Sequence, residues 1–500
     1  MNSFSTKPTV NLKTLIKDIP VLQVEGSMQR AIGSLVTDSR RVTHGALFFA
    51  LPGQRTDGNF FLQEAIDRGA SVVISELPAR PHPRITHIQV EDCRKALAII
   101  AKRFFGRPDE RLALTGVTGT NGKTTVTTML HHFLSAERST GLLGTILYRV
   151  GKRTFPSFHT TPEVVDTFSM LASMVEQDCR EAVMEVSSHG INQKRVEGMH
   201  FDVVAFLNLT QDHLDYHQTL EEYFDVKQRL FNDGTGDLPR SAVIGVDSVW
   251  GKRLLERVDP RVGVTTFGIR EQADFQAKGV RLSATGSQFQ LHSPAGVFDV
   301  ETVLLGHYNV ENILAALAIG WNRGLRIEGM LKSLRTFSGV PGRMETIANE
   351  GGFNVVVDYA HTDDALRNAL SMLREITPGK IHIVFGCGGN RDRLKRPLMA
   401  KAAEEVADTL WVTADNPRFE DLETIFADMR EGFSGAKPVN WITDRRRAIS
   451  LALDQCQAGD CLLIAGKGHE TYQEFAGTVT PFDDRQVVRE LLAVKGIGRK

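Results

Sequence analysis

The tightest constraint on what this chain can fold into is the run from Leu112 to Leu134, LALTGVTGTNGKTTVTTMLHHFL. An apolar stretch, Leu112 to Val117, leads into a glycine-rich turn ending in Gly122-Lys123-Thr124. Beyond it Val126, Met129, Leu130, Phe133 and Leu134 recur at i, i+3, i+4, i+7 and i+8, one apolar face of a helix. Strand, glycine loop and helix start in that order make an anion site. The first helical turn has unsatisfied N–H groups and the positive dipole end, and glycines let a phosphate approach the backbone. Lys123 is expected to reach the outer phosphates of a nucleoside triphosphate, and Thr124 to offer its hydroxyl to Mg²⁺. The general phosphate-loop pattern would place glycine at position 117, where Val117 stands between Gly116 and Gly119. The plain alternative is an ordinary glycine turn. The order strand, GK[ST], helix argues against it.

A chain of 500 residues exceeds one core, so roughly two to four domains are expected. A net charge of −1 implies no general attraction to nucleic acid or an anionic membrane. The basic tail, Arg499-Lys500, is too short to change that. The cysteines, Cys93, Cys179, Cys387, Cys456 and Cys461, are few and odd in number, and none forms C-x-x-C. A reduced, cytoplasmic protein is expected. The N-terminus lacks the apolar core of a signal peptide, and no apolar run approaches a membrane span.

The pattern predicts an α/β protein of three domains. A small N-terminal α/β domain, 1–102, alternates short apolar runs (46–51, 71–74, 85–90) with helical patterns (59–68, 93–105). Its polar stretches, Thr37-Asp38-Ser39-Arg40 and Pro52 to Gly58, read as turns on composition alone. The central domain, 103–340, is expected to be phosphate-loop NTPase-like, on a mostly parallel sheet. Its next strands run into polar clusters: Ala182 to Val186 into Ser187-Ser188-His189-Gly190, and Val203 to Leu207 into Asn208 to Asp215. Ligands of open parallel sheets bind beyond the carboxyl ends of the strands. Glu185 interrupts an apolar strand end, so it must be paired or hold a metal. His213, beside Asp212 and Asp215, is a candidate metal ligand or simply a surface histidine. Phe275 to Leu305 alternates in the manner of an antiparallel ribbon added to the sheet. In the helix opened by Gly306-His307-Tyr308-Asn309, Asn309 and Asn312 share a face, either to cap the helix or to read a base edge. Val340-Pro341-Gly342 is a plausible hinge. The C-terminal domain, 341–500, reads as Rossmann-like and doubly wound. Four strands there end in polar clusters, at Asp358-Tyr359-Ala360-His361, Gly386 to Asp392, Ala414 to Arg418, and Ala465 to Glu470.

At this point the chain resembles the Mur ligases, the ATP-dependent amide-forming enzymes of bacterial cell-wall precursor synthesis. The resemblance spans essentially the whole sequence. It rests, in order, on GTNGKTT (119–125), MEVSSHG (184–190), DHLDYH (212–217), YFDVK (223–227), GHYNVEN (306–312), PGRME (341–345) and DYAHT (358–362). One departure is Asp363, where relatives usually have proline; a helix start accepts either.

The resemblance implies three domains that hold, in turn, a UDP-sugar, ATP and the incoming amino acid. By matching position, Thr37, Ser39, Gln54, Arg55 and Thr56 face the UDP-sugar. His159 (where a relative may carry Asn), Thr160, Thr161, Ser187, Gln193 and Arg195 face the rest of the sugar-peptide. Gly119, Thr120, Asn121, Gly122, Lys123, Thr124 and Thr125 cradle the ATP phosphates. Asn309 and Asn312 lie near adenine, and Arg343 and Asp358 near the phosphates and ribose. Two Mg²⁺ are implied, one held by Thr124 and Glu185 and a second by His213. Lys227 reads plainly as a surface lysine. In this family the matching lysine is carbamylated by CO₂, becoming an anion that supports the second Mg²⁺.

The implied reaction activates the D-glutamate γ-carboxylate of UDP-MurNAc-L-Ala-D-Glu as an acyl phosphate, which an amine then attacks. Asp415-Asn416-Pro417-Arg418 is the form seen in enzymes that add meso-diaminopimelate. A guanidinium binds that substrate's extra carboxylate bidentately, and L-lysine would leave Arg418 unpaired in a closed pocket. Arg391, Gly466 and Glu470 match further contacts, with Glu470 placed to receive the ammonium. The rivals are an L-lysine-adding ligase, a folate polyglutamylation ligase and a non-catalytic nucleotide-dependent regulator. Arg418 and the N-terminal domain speak against the first two, and the retained Lys123, Glu185, His213 and Lys227 against the third. A monomer is expected.

Overall fold

A computed structural model describes residues 9–53, 56–210 and 216–498. Gln54, Arg55, Asp212, His213, Asp215 and the Arg499-Lys500 tail, singled out above, lie outside the described residues. The chain forms two compact units, 1–275 with 315–330, and 276–314 with 331–500.

The first unit carries two main sheets, besides a small pairing of Val10–Asn11 with Ala31–Ile32. The N-terminal one contains β1 (Val21–Glu25), β2 (Ser34–Val36), β3 (Ala46–Phe49), β4 (Ala70–Ser75) and β5 (Thr86–Val90), in the order β1-β5-β4-β3-β2. All pairs are parallel except β1 with β5. β3 is buried at every position because both faces are covered, which is why 46–51 reads as an unbroken apolar run. Helix α1 (Cys93–Phe104) is capped by Asp92, whose side chain accepts from Lys95 N–H.

The second sheet is built on β6 (Ala113–Thr118), which passes through the glycine loop into α2 (Lys123–Ser135). β6 lies between β8 (Glu181–Glu185) and β9 (Val203–Phe206), parallel to both. β7 (Thr140–Leu143) continues the parallel set beyond β8. Three strand ends therefore meet on one rim: Thr118 to Gly119, Glu185 to Ser187, and Phe206 to Asn208. Val117, the misfit of the phosphate-loop pattern, is fully buried in β6. It is a strand core residue, so the apolar side chain suits the place.

In the second unit β10 (Phe275–Ser283), β11 (Gly286–Ser293) and β12 (Gly296–Thr302) form the antiparallel ribbon that the alternation predicts. Helix α3 (His307–Asn322) follows, its residues from Ala315 onward belonging to the first unit. The C-terminal sheet takes the order β13 (Glu345–Thr346), β14 (Asn354–Asp358), β18 (Cys461–Ala465), β15 (Ile381–Phe385), β16 (Thr409–Val412) and β17 (Val439–Trp441). All pairs except β13 with β14 are parallel, so the four predicted clusters share one rim. Helices cover both faces, with α4 (Asp363–Ile376) on one core and α5 (Arg445–Gln455) on the other. Asp363 is the first residue of α4, behind the Thr362 cap, where an acid suits the positive helix end.

Among the described residues no helix is long and apolar enough to cross a membrane. All five cysteines are free thiols. Burial pushes those of Cys387, Cys456 and Cys461 up to about 12.

Candidate active site

The phosphate loop is held by its neighbours before any ligand is considered. Asn121 N–H donates to Asn208 Oδ1 (2.9 Å), Thr120 N–H to Asn208 O (3.1 Å), and Thr210 N–H to Thr120 Oγ1 (3.0 Å). Gly122 sits at φ +88 and starts α2 without a side-chain cap, leaving the first-turn N–H groups to the loop. Lys123 Nζ curls over its own loop and donates to Gly119 O and Thr120 O, both at 2.8 Å.

Glu185, 1% exposed, is the charge at the centre. Its carboxylate accepts from Thr124 Oγ1 (3.0 Å), Thr145 Oγ1 (3.0 Å) and Thr145 N–H (2.8 Å). These donors, two hydroxyls and a backbone N–H, are all neutral. Gly144 makes room for it: a Cβ there would stand 2.6 Å from Glu185 Oε1. Thr145 is a residue that the sequence reading missed. Its hydroxyl also meets Thr160 Oγ1 at 3.0 Å, joining the phosphate loop to the next cluster.

That cluster is continuous. Thr161 Oγ1 donates to Glu185 O (2.9 Å) and meets Ser187 Oγ (3.1 Å). Arg195 donates to Thr161 O and Gln193 Oε1 and pairs with Glu163, each at 2.7 Å. His159 is held through its backbone, its carbonyl accepting from Tyr148 OH (2.7 Å). The structure thus brings together Thr160, Thr161, Ser187, Gln193 and Arg195. At the N-terminal sheet, buried Ser39 donates to Glu64 Oε2 (2.8 Å), and Thr37 is exposed after β2. Thr56 lies in a bend and is exposed.

Lys227 is not on the surface. On helix α6 (Leu220–Gln228) it is 1% exposed. Its Nζ contacts Gly119 O (3.1 Å) and Thr118 Oγ1 (3.4 Å) and stands 4.5 Å from the centre of the Tyr223 ring. Tyr223 also stacks on buried His217 at 5.0 Å. Lys227 therefore reaches the underside of the phosphate loop.

In the second unit Asn309 and Asn312 hydrogen-bond to each other (3.2 Å), and Asn309 donates to Leu305 O (2.8 Å). Asn309 therefore ties the helix start to the preceding backbone. Asp358 accepts from Met344 N–H (2.7 Å) and Ala360 N–H (2.9 Å). Burial pushes this carboxyl up, against the opposing pull of Arg343 and those donors. Arg343 lies over the Tyr359 ring at 4.6 Å. His469 packs on the other side of the same cluster, 5.0 Å from Tyr359, and burial with Arg343 and Arg485 nearby lowers it to about 4. The backbones of 341–343 and 467–469 touch here. A Cβ at Gly342 (φ +65) would lie 2.1 Å from Gly468 C and His469 N.

The C-terminal rim gathers the remaining residues. Arg418, at φ +54, donates to Gly389 O (2.9 Å) and pairs with Glu474 (3.5 Å). Asn416 Nδ2 donates to Glu470 Oε2 (2.9 Å), while its Oδ1 accepts from Lys467 Nζ (3.2 Å) and Glu474 N–H (3.1 Å). Gly466 donates to Asp358 O (3.1 Å) and lies against Asp415. Pro417 is buried, and Arg391 is exposed beside Gly388.

Two buried arginines brace this rim. Arg445 pairs with Asp484 (2.7 Å), both fully buried, and donates to Ala465 O (2.9 Å) and Ala414 O (3.5 Å), the residues just before Gly466 and Asp415. Arg396 pairs with Glu420 (2.7 Å) and Asp428 (2.8 Å) and donates to Gly388 O (3.2 Å). Its guanidinium holds Glu420 down at about 2.

The Mur ligase family, catalytic domain matches residues 31–105, the Mur ligase middle domain 117–320, and the Mur ligase, glutamate ligase domain 342–468. A UDP-N-acetylmuramoyl-L-alanyl-D-glutamate--2,6-diaminopimelate ligase of Solibacter usitatus is 44% identical over 472 residues, 94% of this chain and 95% of that protein. One of the same name from Geobacillus kaustophilus is 43% identical over 497 residues, 97% of this chain and all of that protein. A solved structure under that name superimposes with a TM-score of 0.72 at 34% identity, covering 98% of this chain and 99% of that one. A folylpolyglutamate synthase of Mycobacterium tuberculosis, at 19% identity and a TM-score of 0.61 over 81% of this chain and 96% of that one, shares the fold alone. Similarity of this extent along nearly the whole sequence leaves one conclusion: the chain belongs to the Mur ligase family.

Proposed function

We propose that this protein joins meso-diaminopimelate to the D-glutamate γ-carboxylate of UDP-N-acetylmuramoyl-L-alanyl-D-glutamate at the expense of ATP, in peptidoglycan precursor synthesis. The observation that carries the reading is the near end-to-end similarity to ligases of that name, in a chain with Arg418 on its C-terminal rim. In this reading residues 1–102 hold the UDP-sugar, 103–340 ATP and 341–500 the amino acid. A cytoplasmic location belongs to it, supported by the free thiols.

An oxide is too poor a leaving group for an amine to displace from a carboxylate. The γ-carboxylate oxygen therefore attacks the γ-phosphorus, ADP departs, and an acyl phosphate results. The neutral amine then adds to the carbonyl carbon, gives up a proton, and phosphate is expelled. The first step brings two anions together, so positioning and charge compensation dominate. Lys123 and the N–H groups of the loop bind the β- and γ-phosphates. Thr124 and Glu185 fit a divalent cation, because a hydroxyl and a buried carboxylate with only neutral donors converge at 3.0 Å. A divalent cation held by Thr124 and Glu185 would supply screening of the charge that builds between the two anions.

The family's second Mg²⁺ ligand, His213, and the carbamate on Lys227 belong to the same proposal. The burial of Lys227 under the loop supports it, since a lysine there can act on the phosphate site. Asn309, Asn312, Arg343 and Asp358 serve the nucleotide. Arg391, Asn416, Arg418, Gly466 and Glu470 serve diaminopimelate.

Phosphate release by the purified protein tests the reading, with ATP, Mg²⁺ and UDP-MurNAc-dipeptide, and with meso-diaminopimelate, L-lysine or no amino acid. Release that depends on meso-diaminopimelate is expected. Equal release with lysine, or none with either, overturns it.

A further inference from the structure

Lys467 belongs to no motif role assigned so far, yet it is fully buried and sits within the rim. It follows β18, between Gly466 and Gly468, whose left-handed conformations turn the backbone there. Its ammonium is fully engaged: Asn416 Oδ1 at 3.2 Å, Glu470 Oε2 at 3.0 Å, and the Tyr472 ring at 5.4 Å. A buried ammonium is costly unless paired, so this arrangement is specific.

Two consequences follow from the bonds. The ammonium can only donate, so the Asn416 atom facing it must be the carbonyl oxygen. That fixes the amide, turning Nδ2 toward Glu470. Both hydrogen bonds on Glu470 then fall on Oε2, and Oε1 makes none among the described residues. Lys467 thus presets the two residues proposed to read the amino acid.

The third consequence is charge. Arg391, Arg418 and Lys467 balance Asp415, Glu470 and Glu474, three against three. A balanced site suits a ligand with two ammonium and two carboxylate groups. Without Lys467 the count becomes one negative, which suits a ligand with two ammonium groups and one carboxylate. We infer that Lys467 is a positioning residue that sets the charge balance of the amino-acid site and so favours diaminopimelate over lysine. Discrimination then has a repulsive part, from Lys467, beside the attractive one from Arg418. The inference rests on the proposed function.

The test uses the full chain in the phosphate-release assay, with meso-diaminopimelate and L-lysine as alternative substrates. Lys467→Met keeps the length and removes the charge. The ratio of kcat/KM for diaminopimelate over lysine is expected to fall about tenfold or more, chiefly through KM. Lys467→Arg should recover part of the ratio. Glu474→Gln shifts the count the other way, at a partly exposed side chain, and should raise the ratio; this arm stands even where Lys467→Met does not fold. A Lys467→Met enzyme that loses both substrates equally has lost structure alone, and that result, or an unchanged ratio in Glu474→Gln, overturns the inference. Wild-type protein inactive with both amino acids overturns the proposed function instead.

Discussion

At the phosphate loop the buried carboxylate, Glu185, is held by two threonine hydroxyls and one N–H, with no cation hydrogen-bonded to it among the described residues. At the C-terminal rim Glu420, Glu470, Glu474 and Asp484 each have a lysine or arginine against them. Both places are carboxyl ends of parallel strands, and both are rich in glycine. They differ in what they leave to the ligand. The first holds its carboxylate with neutral donors beside a loop of backbone N–H groups, which suits a metal ion with phosphates. The second has closed its charges on itself, and so presents a zwitterion with groups already oriented. Charge is the working part of one rim and the scaffold of the other.

That contrast can be broken most sharply at Glu185. Glu185→Ala should lower kcat/KM by about a thousandfold or more, since the charge there has no substitute. A loss under tenfold would mean that the carboxylate is only a strand-end acceptor. Lys227→Ala comes next, with an expected loss of about a hundredfold or more and partial recovery on adding short carboxylates. Full activity without any rescue would remove Lys227 from the phosphate site. At the other rim Arg418→Ala should raise the diaminopimelate KM about thirty- to a hundredfold, as loss of a charge-assisted carboxylate contact does, with kcat changed less. Unchanged discrimination against lysine in that variant would refute the specificity assignment. Thr145→Val removes one hydroxyl from Glu185, and about a tenfold loss in kcat/KM is expected.

The smallest effect concerns stability. Arg396 lowers the folded-state carboxyl of Glu420 from the ordinary 4.5 to about 2. A depressed acid contributes stability above its unfolded value and loses it as pH falls through the folded one. Tm should therefore decline between about pH 4.5 and pH 2, and Glu420→Gln should flatten that decline.

Much of this was legible in the sequence because strand ends announce themselves. The runs before Gly119, Ser187, Asp358, Gly386 and Ala465 are mostly apolar, Glu185 being the exception, then change to glycine and polar or charged residues, and the structure makes each of them a strand. What stayed hidden depends on partners distant in sequence. Thr145 sits in an apolar stretch and gains meaning only from Glu185, 40 residues on. Arg445 and Arg396 belong to no motif, and their partners lie 39 and 24 residues away. Lys467 was visible only as a member of a charged cluster. Asn309 and Asn312 shared a face as the spacing required, but sequence could not show that they bond to each other. Lys227 read as a surface lysine on periodicity, whereas the resemblance assigned it a site role and the structure buries it.

The contact of Gly342 with Gly468 has a mechanical meaning. Packed side chains absorb small displacements by changing rotamer, so contacts made through them have slack. Here peptide meets peptide with nothing between. A side chain at Gly342 would have to displace the Gly468–His469 backbone, so the segment that carries Arg343 and the turn that carries Lys467 keep their spacing only while position 342 stays glycine. In the proposed reading, the residues that serve the nucleotide and those that serve the amino acid meet at two positions that have no side chain at all.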